Sequence, residues 1–248
     1  METLPFWMPL AFFFVALLYS MFGFGGGSSY LALLVLGGFS YQKIPMIALT
    51  CNLVVASVAF YQYFKGRHFE FKKILPFVIL SIPMAYLGGS FRISKTVFSL
   101  LLGLSLSFVA LRMILGESVS KAQEPSEKKR WIFGTLFGGG IGFLSGLLGI
   151  GGGIFLSPFL MLIRWADSKQ AAAAASFFIL VNSLAGLAAH MQKTGFETHI
   201  LLPLAVVVFL GGQMGSRLGA FHIPKAILQR MVAVFIMFAA VKLIQGGL

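Results

Sequence analysis

The chain alternates between long apolar stretches and short polar breaks. An apolar helix of roughly 20 residues crosses the hydrocarbon core of a bilayer, and each stretch reaches or exceeds about this length. Charged residues, proline or glycine lie between the stretches, as is typical of transmembrane helices. The pattern therefore predicts an all-α integral membrane protein. The stretches are 5–38, 45–64, 74–90, 97–115, 131–163, 170–191, 200–216 and 226–244.

A polar segment, SVSKAQEPSEKKR at 118–130, divides the chain nearly in half and is expected to lie outside lipid. The halves on either side match in order. FGFGGG at 22–27 falls on LGIGGG at 148–153, and Phe69-Glu70 falls on Phe196-Glu197. Collinear matches of this kind predict an internal repeat. The predicted organisation is repeat 1 over 1–117, a cytoplasmic linker over 118–130 and repeat 2 over 131–248.

Stretches 5–38 and 131–163 are too long for one untilted crossing, and a run of glycines interrupts each of them. Glycine weakens a helix by roughly 1 kcal/mol per residue relative to alanine, so a run of three marks an interruption. Each repeat is therefore predicted to hold three full transmembrane helices and one glycine-broken segment, either re-entrant or a pair of helices.

Positive charge favours the arrangement in which the broken segments return to the side they entered, because cytoplasmic loops carry the excess of Lys and Arg. Single crossings throughout would split the 19 positive side chains 11 to 8. Returning segments gather 14 of the 19 on the linker side. The prediction is two inverted repeats, as in many secondary transporters, with the N-terminus outside. The five opposite charges are Lys43, Arg92, Lys95, Lys193 and Lys242.

Composition excludes several classes of protein. Hydrophobic residues make up 58% of the chain and charged residues 10%, far below the roughly 25% charged of a soluble domain. The net charge of +12 comes from residues at helix ends that do not interleave with aromatics, so no nucleic-acid partner is expected. The single cysteine, Cys51, excludes a disulfide within the chain.

The glycine runs are the strongest candidates for a site. Consecutive small residues let successive backbone N–H groups converge, and such concavities bind anions. A half-helix beginning after each run would add its dipole, and paired breaks in two repeats point to a midplane transport site. The alternative is that these glycines only allow close helix packing. The candidate substrate-binding residues here are Gly25, Gly26, Gly27, Ser28, Gly151, Gly152 and Gly153.

Polar residues inside two apolar stretches form a second set of candidates, for substrate contact or for hydrogen bonds between helices. Thr50 aligns with Ser176, and Ser57 aligns with Ser183. Within each stretch the two residues are seven positions apart, which places them on one face of their helix. The candidate substrate-binding residues of this set are Thr50, Cys51, Asn52, Ser57, Ser176, Asn182 and Ser183.

All 7 acidic residues lie at or beyond the ends of the stretches. A cation site or proton relay built on carboxylates is therefore disfavoured, and an anion held by dipoles and hydroxyls is favoured. No HExxH, Ser-His-Asp or CxxC pattern is present in the sequence. Catalytic residues, a metal site and a cofactor are accordingly not expected.

SGLLGIGGGIFLSP at 145–158, FGFGGGSS at 22–29 and ASFFILVNSLAG at 175–186 resemble the TauE/SafE family of sulfite exporters, over nearly the full length. The resemblance implies a bacterial or archaeal inner-membrane permease for small sulfur-containing anions such as sulfite or sulfonates. The second motif matches well, whereas Ser28-Ser29 replace apolar residues in the first half. The matching positions of the second motif are Gly149, Gly151, Gly152, Gly153 and Pro158.

The resulting hypothesis is a secondary permease that works by alternating access, with the two glycine breaks meeting near the bilayer midplane. Its expected partners are a small anion, a co-transported proton or ion and the lipid bilayer, and the pattern defines no oligomeric state. The alternatives are an anion channel, a membrane partner that does not transport and, least favoured, a membrane-embedded enzyme.

Overall fold

A computed structural model describes residues 4–40, 43–91, 127–163, 165–191, 198–224 and 227. Every regular element in these ranges is helical, which confirms the predicted all-α class. A π-helical turn, Leu218–His222, directly follows the helix Thr198–Arg217. The helices are α1 Met8–Ser20, α2 Gly27–Leu36, α3 Ile44–Lys65, α4 Phe71–Ser90, α5 Glu127–Leu148, α6 Gly153–Leu162, α7 Ser168–Met191 and α8 Thr198–Arg217.

Four helices are long and apolar enough to cross a bilayer: α3, α4, α7, and α8 together with its π-helical turn. Their outward side chains are large and apolar, and Leu202 is 63% exposed and Phe64 58% exposed. Such a surface is stable in lipid, where apolar side chains need no cover from water. The chain is therefore a multi-pass membrane protein.

Each glycine-broken stretch is a helical hairpin. In the first, Phe12 of α1 stacks on Tyr30 of α2 with ring centroids 4.5 Å apart, and a methyl group added at Gly37 would overlap the side chain of Met8. The start of α1 therefore lies beside the end of α2. In the second, Phe137 of α5 stacks on Phe159 of α6, with ring centroids 3.6 Å apart. In both hairpins the chain doubles back at the glycines.

The long helices α3 and α7 form the centre of the bundle, and a larger share of each is buried than of α4 or α8. They run antiparallel. Phe60 of α3 lies 5.2 Å from Phe177 of α7, between ring centroids, and Leu49 of α3 lies against Gly186 further along α7. The glycine breaks pack against this central pair.

Two outer pairs of helices are held together by glycines four residues apart. A β-carbon at Gly138, Gly142 or Gly146 of α5 would overlap the backbone of α4, and one at Gly211 or Gly215 of α8 would overlap the backbone of α1. Glycines at this spacing line one face of a helix and let two backbones approach closely. The helices of each pair run parallel, since successive glycines meet successive residues of the partner in the same order.

The order of helix, glycine break, short helix and two long helices occurs in both halves: α1 to α4, then α5 to α8. The helix ends differ from the predicted stretches by up to four residues, and the largest difference is at α5, which begins at Glu127 rather than at residue 131. The predicted helix at 97–115, nearly all of that at 226–244 and linker residues 118–126 lie outside the described residues.

Candidate functional site

The two breaks have the backbone conformation that glycine permits. In the first, φ is +72° at Gly23 and +91° at Gly26, and in the second it is +84° at Gly151 and +76° at Gly152. Residues with a side chain are disfavoured there, because the β-carbon collides with the following carbonyl oxygen. Gly26 and Gly152 are the N-caps of α2 and α6, so each short helix begins where its glycine run ends.

The structure brings the two breaks into direct contact. A β-carbon added to Gly27 would lie 2.8 Å from both the Cα and the carbonyl oxygen of Ile150. Backbone therefore meets backbone at this point, beside the side chain of Asn52, whose Nδ2 would lie 2.5 Å from the same β-carbon. The N-termini of α2 and α6 consequently lie close together in the middle of the bundle.

Asn52 of α3 lies between the breaks and is fully buried. Its Nδ2 donates a long hydrogen bond, 3.4 Å, to the carbonyl oxygen of Gly149 in the second break. Its Oδ1 lies against Gly25 of the first break and has no hydrogen-bond partner among the described residues. One amide thus joins the central helix to both breaks and keeps an unpaired acceptor.

Ser183 of α7 approaches the same point from the other central helix. A β-carbon added to Gly151 would lie 3.3 Å from both Ser183 Oγ and Asn52 Nδ2, and 2.7 Å from Ile179. Ser183 Oγ is buried and has no hydrogen-bond partner within the described ranges. A hydroxyl free to donate therefore faces the second break.

The starts of α2 and α6 supply further donors. The first turns of a helix carry backbone N–H groups with no acceptor in the helix, and the dipole adds partial positive charge. Neither helix has an acidic residue in its first turn to neutralise this charge. Tyr19 hydrogen-bonds at 3.4 Å to Ser28 Oγ and at 2.6 Å to Ser29 Oγ at the start of α2. The surroundings of the breaks can therefore attract an anion without a formal positive charge.

Four of the predicted residues lie apart from this contact or are satisfied within their own helix. The hydroxyls of Thr50 and Ser176 donate to Met46 O at 2.8 Å and Ala173 O at 2.9 Å, one turn back. Ser57 donates to Leu53 O at 2.6 Å and lies on the exposed face of α3. Cys51 is buried among apolar side chains. Bonds of this kind are common for hydroxyls inside helices.

Asn182 of α7 belongs to a second buried polar group. Its Nδ2 donates to Ser81 Oγ of α4 at 3.0 Å and to Phe178 O at 2.8 Å, whereas its Oδ1 has no hydrogen-bond partner in the part of the chain that the structure describes. Ser145 and Ser157, which the sequence analysis did not single out, are also buried with unpaired hydroxyls in the described structure. Both serines flank the second glycine run, within the motif SGLLGIGGGIFLSP. This position beside the glycines could have identified them from the sequence as candidate site residues.

Across the described residues, no group of three or more His, Cys, Asp or Glu side chains is arranged to hold a metal ion. The site thus consists of backbone, amides and hydroxyls.

Long apolar helices and paired glycine hairpins place the chain among multi-pass membrane proteins with a buried polar centre. The chain belongs to the Sulfite exporter TauE/SafE family, whose sequence model matches residues 8–243. The predicted resemblance is thereby confirmed.

Three curated relatives are each named as a probable membrane transporter. Protein y4hK of Sinorhizobium fredii is 32% identical over 98% of this chain and 100% of its own length. YunE of Bacillus subtilis is 26% identical, over 92% of this chain and 93% of its own. MJ0441 of Methanocaldococcus jannaschii is 27% identical, over 84% of this chain and 82% of its own. No solved structure matches the chain significantly.

Proposed function

We propose that the protein is a secondary transporter, or permease, of the cell inner membrane for a small sulfur-containing anion such as sulfite or an organosulfonate. The observation that carries this proposal is the contact between the two glycine breaks, with Asn52 and Ser183 beside it. An anion that leaves water must replace its hydration shell, and N–H and hydroxyl donors that converge on one point can do so.

Charge distribution supports an anion rather than a cation. In the described residues, the carboxylates nearest the bundle lie at helix ends: Glu70 bonds with Lys73 at 3.0 Å and with Gln170 at 2.6 Å, and Asp167 caps α7. A cation would need anionic or carbonyl ligands at depth. The break region instead presents partial positive charge and neutral donors beside one unpaired amide oxygen, Asn52 Oδ1, and no carboxylate lies there among the described residues. This set of groups suits an anion of low charge.

Helix directions support inverted repeats. α3 and α7 are third in the order of their halves, and they run antiparallel across the centre of the bundle. If the halves had the same orientation in the membrane, these two helices would run parallel. Hairpins that return to their starting side agree with the 14 to 5 split of positive charge. The proposed topology therefore has the linker in the cytoplasm and the N-terminus outside.

The closeness of the breaks supports alternating access. Because Gly27 touches the backbone of Ile150, an anion can reach the buried donors only when the breaks separate. The α1–α2 hairpin is attached to α8 and the α5–α6 hairpin to α4, so relative movement of these outer pairs would part the breaks. Movement toward one side and then the other would expose the site in turn.

The test is uptake by liposomes that hold the purified full-length protein, using sulfite, sulfate, thiosulfate and organosulfonates with and without a proton gradient. Saturable uptake of at least one sulfur anion, accelerated by unlabelled anion inside, is expected. Uptake without such counterflow acceleration would indicate a channel. No uptake of any of these anions above protein-free liposomes would contradict the proposal.

A further inference from the structure

The orientation of the Asn52 amide is determined by its neighbours. Nδ2 faces the carbonyl oxygen of Gly149 at 3.4 Å, and the reverse orientation would bring two acceptor oxygens together. Oδ1 therefore faces the first break, beside Gly25. This oxygen can only accept a hydrogen bond.

Asn52 Oδ1 is fully buried and receives no hydrogen bond from the described residues. Buried amide oxygens nearly always have a donor, because an unpaired one loses its bond to water without compensation. The donors at the breaks and the hydroxyl of Ser183 suit an anion, whereas this acceptor would repel an anion's bare oxygen. The two kinds of group together define a ligand that both accepts and donates.

On the basis of the proposed function, we infer that the transported species is a monoanion that carries its own hydrogen-bond donor. Its oxygens accept from the N–H groups at the starts of α2 and α6 and from Ser183, and its O–H or N–H group donates to Asn52 Oδ1. For sulfite this species is hydrogen sulfite, and for sulfonates it is a hydroxyl- or amino-substituted molecule. A proton would then cross the membrane bound to its anion, without relay by a carboxylate of the protein.

Two sulfonates provide a matched test. 2-Hydroxyethanesulfonate and ethanesulfonate are both monoanions of similar size, and they differ by one hydroxyl. Binding to the purified full-length protein in detergent is measured by calorimetry, and competition with sulfite uptake is measured in liposomes. We expect 2-hydroxyethanesulfonate to bind at least about tenfold more tightly than ethanesulfonate. Ethanesulfonate has no hydroxyl, so it would leave the buried Asn52 Oδ1 without a hydrogen bond.

Asn52→Leu removes the amide at similar volume and should reduce this preference to about twofold or less. Gly140→Ala is the matched control, because a β-carbon there meets nothing within 4 Å, and it should retain the wild-type preference. Sulfite uptake at equal pH on both sides should also fall as pH rises, in step with the fraction of hydrogen sulfite.

Equal affinity of the wild-type protein for the two sulfonates would overturn the inference, and this result does not depend on whether the variant folds. A preference that survives in Asn52→Leu would also overturn it, since the donor would then act elsewhere. If sulfite and both sulfonates neither bind nor cross, the proposed function itself fails, which is a different outcome.

Discussion

Gln62 of α3 donates a hydrogen bond from Nε2 to Oε1 of Gln213 in α8, at 2.6 Å. Two further polar contacts join the halves near the same end of α3: His68 Nε2 lies 3.2 Å from Ala220 O, and Gln170 Nε2 donates to Glu70 at 2.6 Å. Hydrogen bonds between membrane helices each contribute about 0.6 to 2 kcal/mol. Together they hold this end of the bundle closed, so under the proposed alternating access these contacts must break each time this end opens.

A reversible cross-link between positions 62 and 213 is therefore expected to stop transport. The variant carries Gln62→Cys and Gln213→Cys with Cys51→Ala, because Cys51 is the single native cysteine. A cleavable bifunctional thiol reagent is needed, since two glutamine side chains meeting at their tips separate the backbones too far for a disulfide. Uptake should be lost on treatment and return on reduction.

The two single-cysteine variants serve as controls and should remain active after treatment. Full uptake by the cross-linked protein would mean that α3 and α8 stay together throughout the transport cycle.

Gly27→Ala tests the contact between the breaks. The added methyl group would lie 2.8 Å from the backbone of Ile150 and 2.5 Å from Asn52 Nδ2, so the breaks must move apart or the side chain must turn. Overpacking of this kind costs about 1 to 3 kcal/mol. We expect initial uptake rates to fall at least about tenfold, with the amount of protein in the membrane little changed. Wild-type rates would show that the contact does not matter for transport.

Ser183→Ala separates a role in binding from a role in folding. The Ser183 hydroxyl is buried and has no hydrogen-bond partner among the residues that the structure describes, so its loss should leave the melting temperature unchanged or slightly higher. Loss of one donor to an anion should weaken affinity by roughly tenfold. Ser216→Ala is the control: its buried hydroxyl donates to Gly212 O at 2.6 Å within α8, and affinity should not change. Equal affinity of Ser183→Ala and wild type would show that Ser183 does not bind the anion.

Two glycines of α5 should respond to alanine with opposite signs. At Gly142 a β-carbon would overlap Ser81 of α4, and Gly142→Ala should lower stability by about 1 to 3 kcal/mol. At Gly140 a β-carbon meets nothing, and Gly140→Ala should raise stability by about 0.5 to 1 kcal/mol through better helix propensity. Thermal or denaturant unfolding in detergent measures both. Destabilisation of equal size at the two positions would contradict the packing of α5 on α4.

Much of the architecture could be predicted from the sequence because the bilayer imposes strong local rules. Apolar length identified the long helices, and the glycine runs identified both breaks. The balance of positive charge favoured returning segments, and the chain doubles back at both glycine runs. Helix boundaries were less accurate at α5, where a charged sequence at 127–130 is helical although it lies outside any apolar stretch.

The environment of individual polar residues could not be read from the repeat. Ser57 and Ser183 align between the halves, yet Ser57 is exposed and Ser183 is buried. Alignment gives equivalent positions within each half, whereas burial depends on which residues of the other half lie opposite. The four-residue glycine spacing on α5 and α8 was visible, but its partners α4 and α1 are distant in sequence and only the fold reveals them.

The packing of α1 on α8 and of α5 on α4 also determines whether each half of the chain is stable without the other. α1 belongs to the first half but fits against α8 of the second, and α5 of the second fits against α4 of the first. The halves are thus interlocked, and either one without the other would leave a backbone-lined groove open to lipid. Two separately expressed halves should accumulate stably only when they are made together, as subunits of an obligate heterodimer.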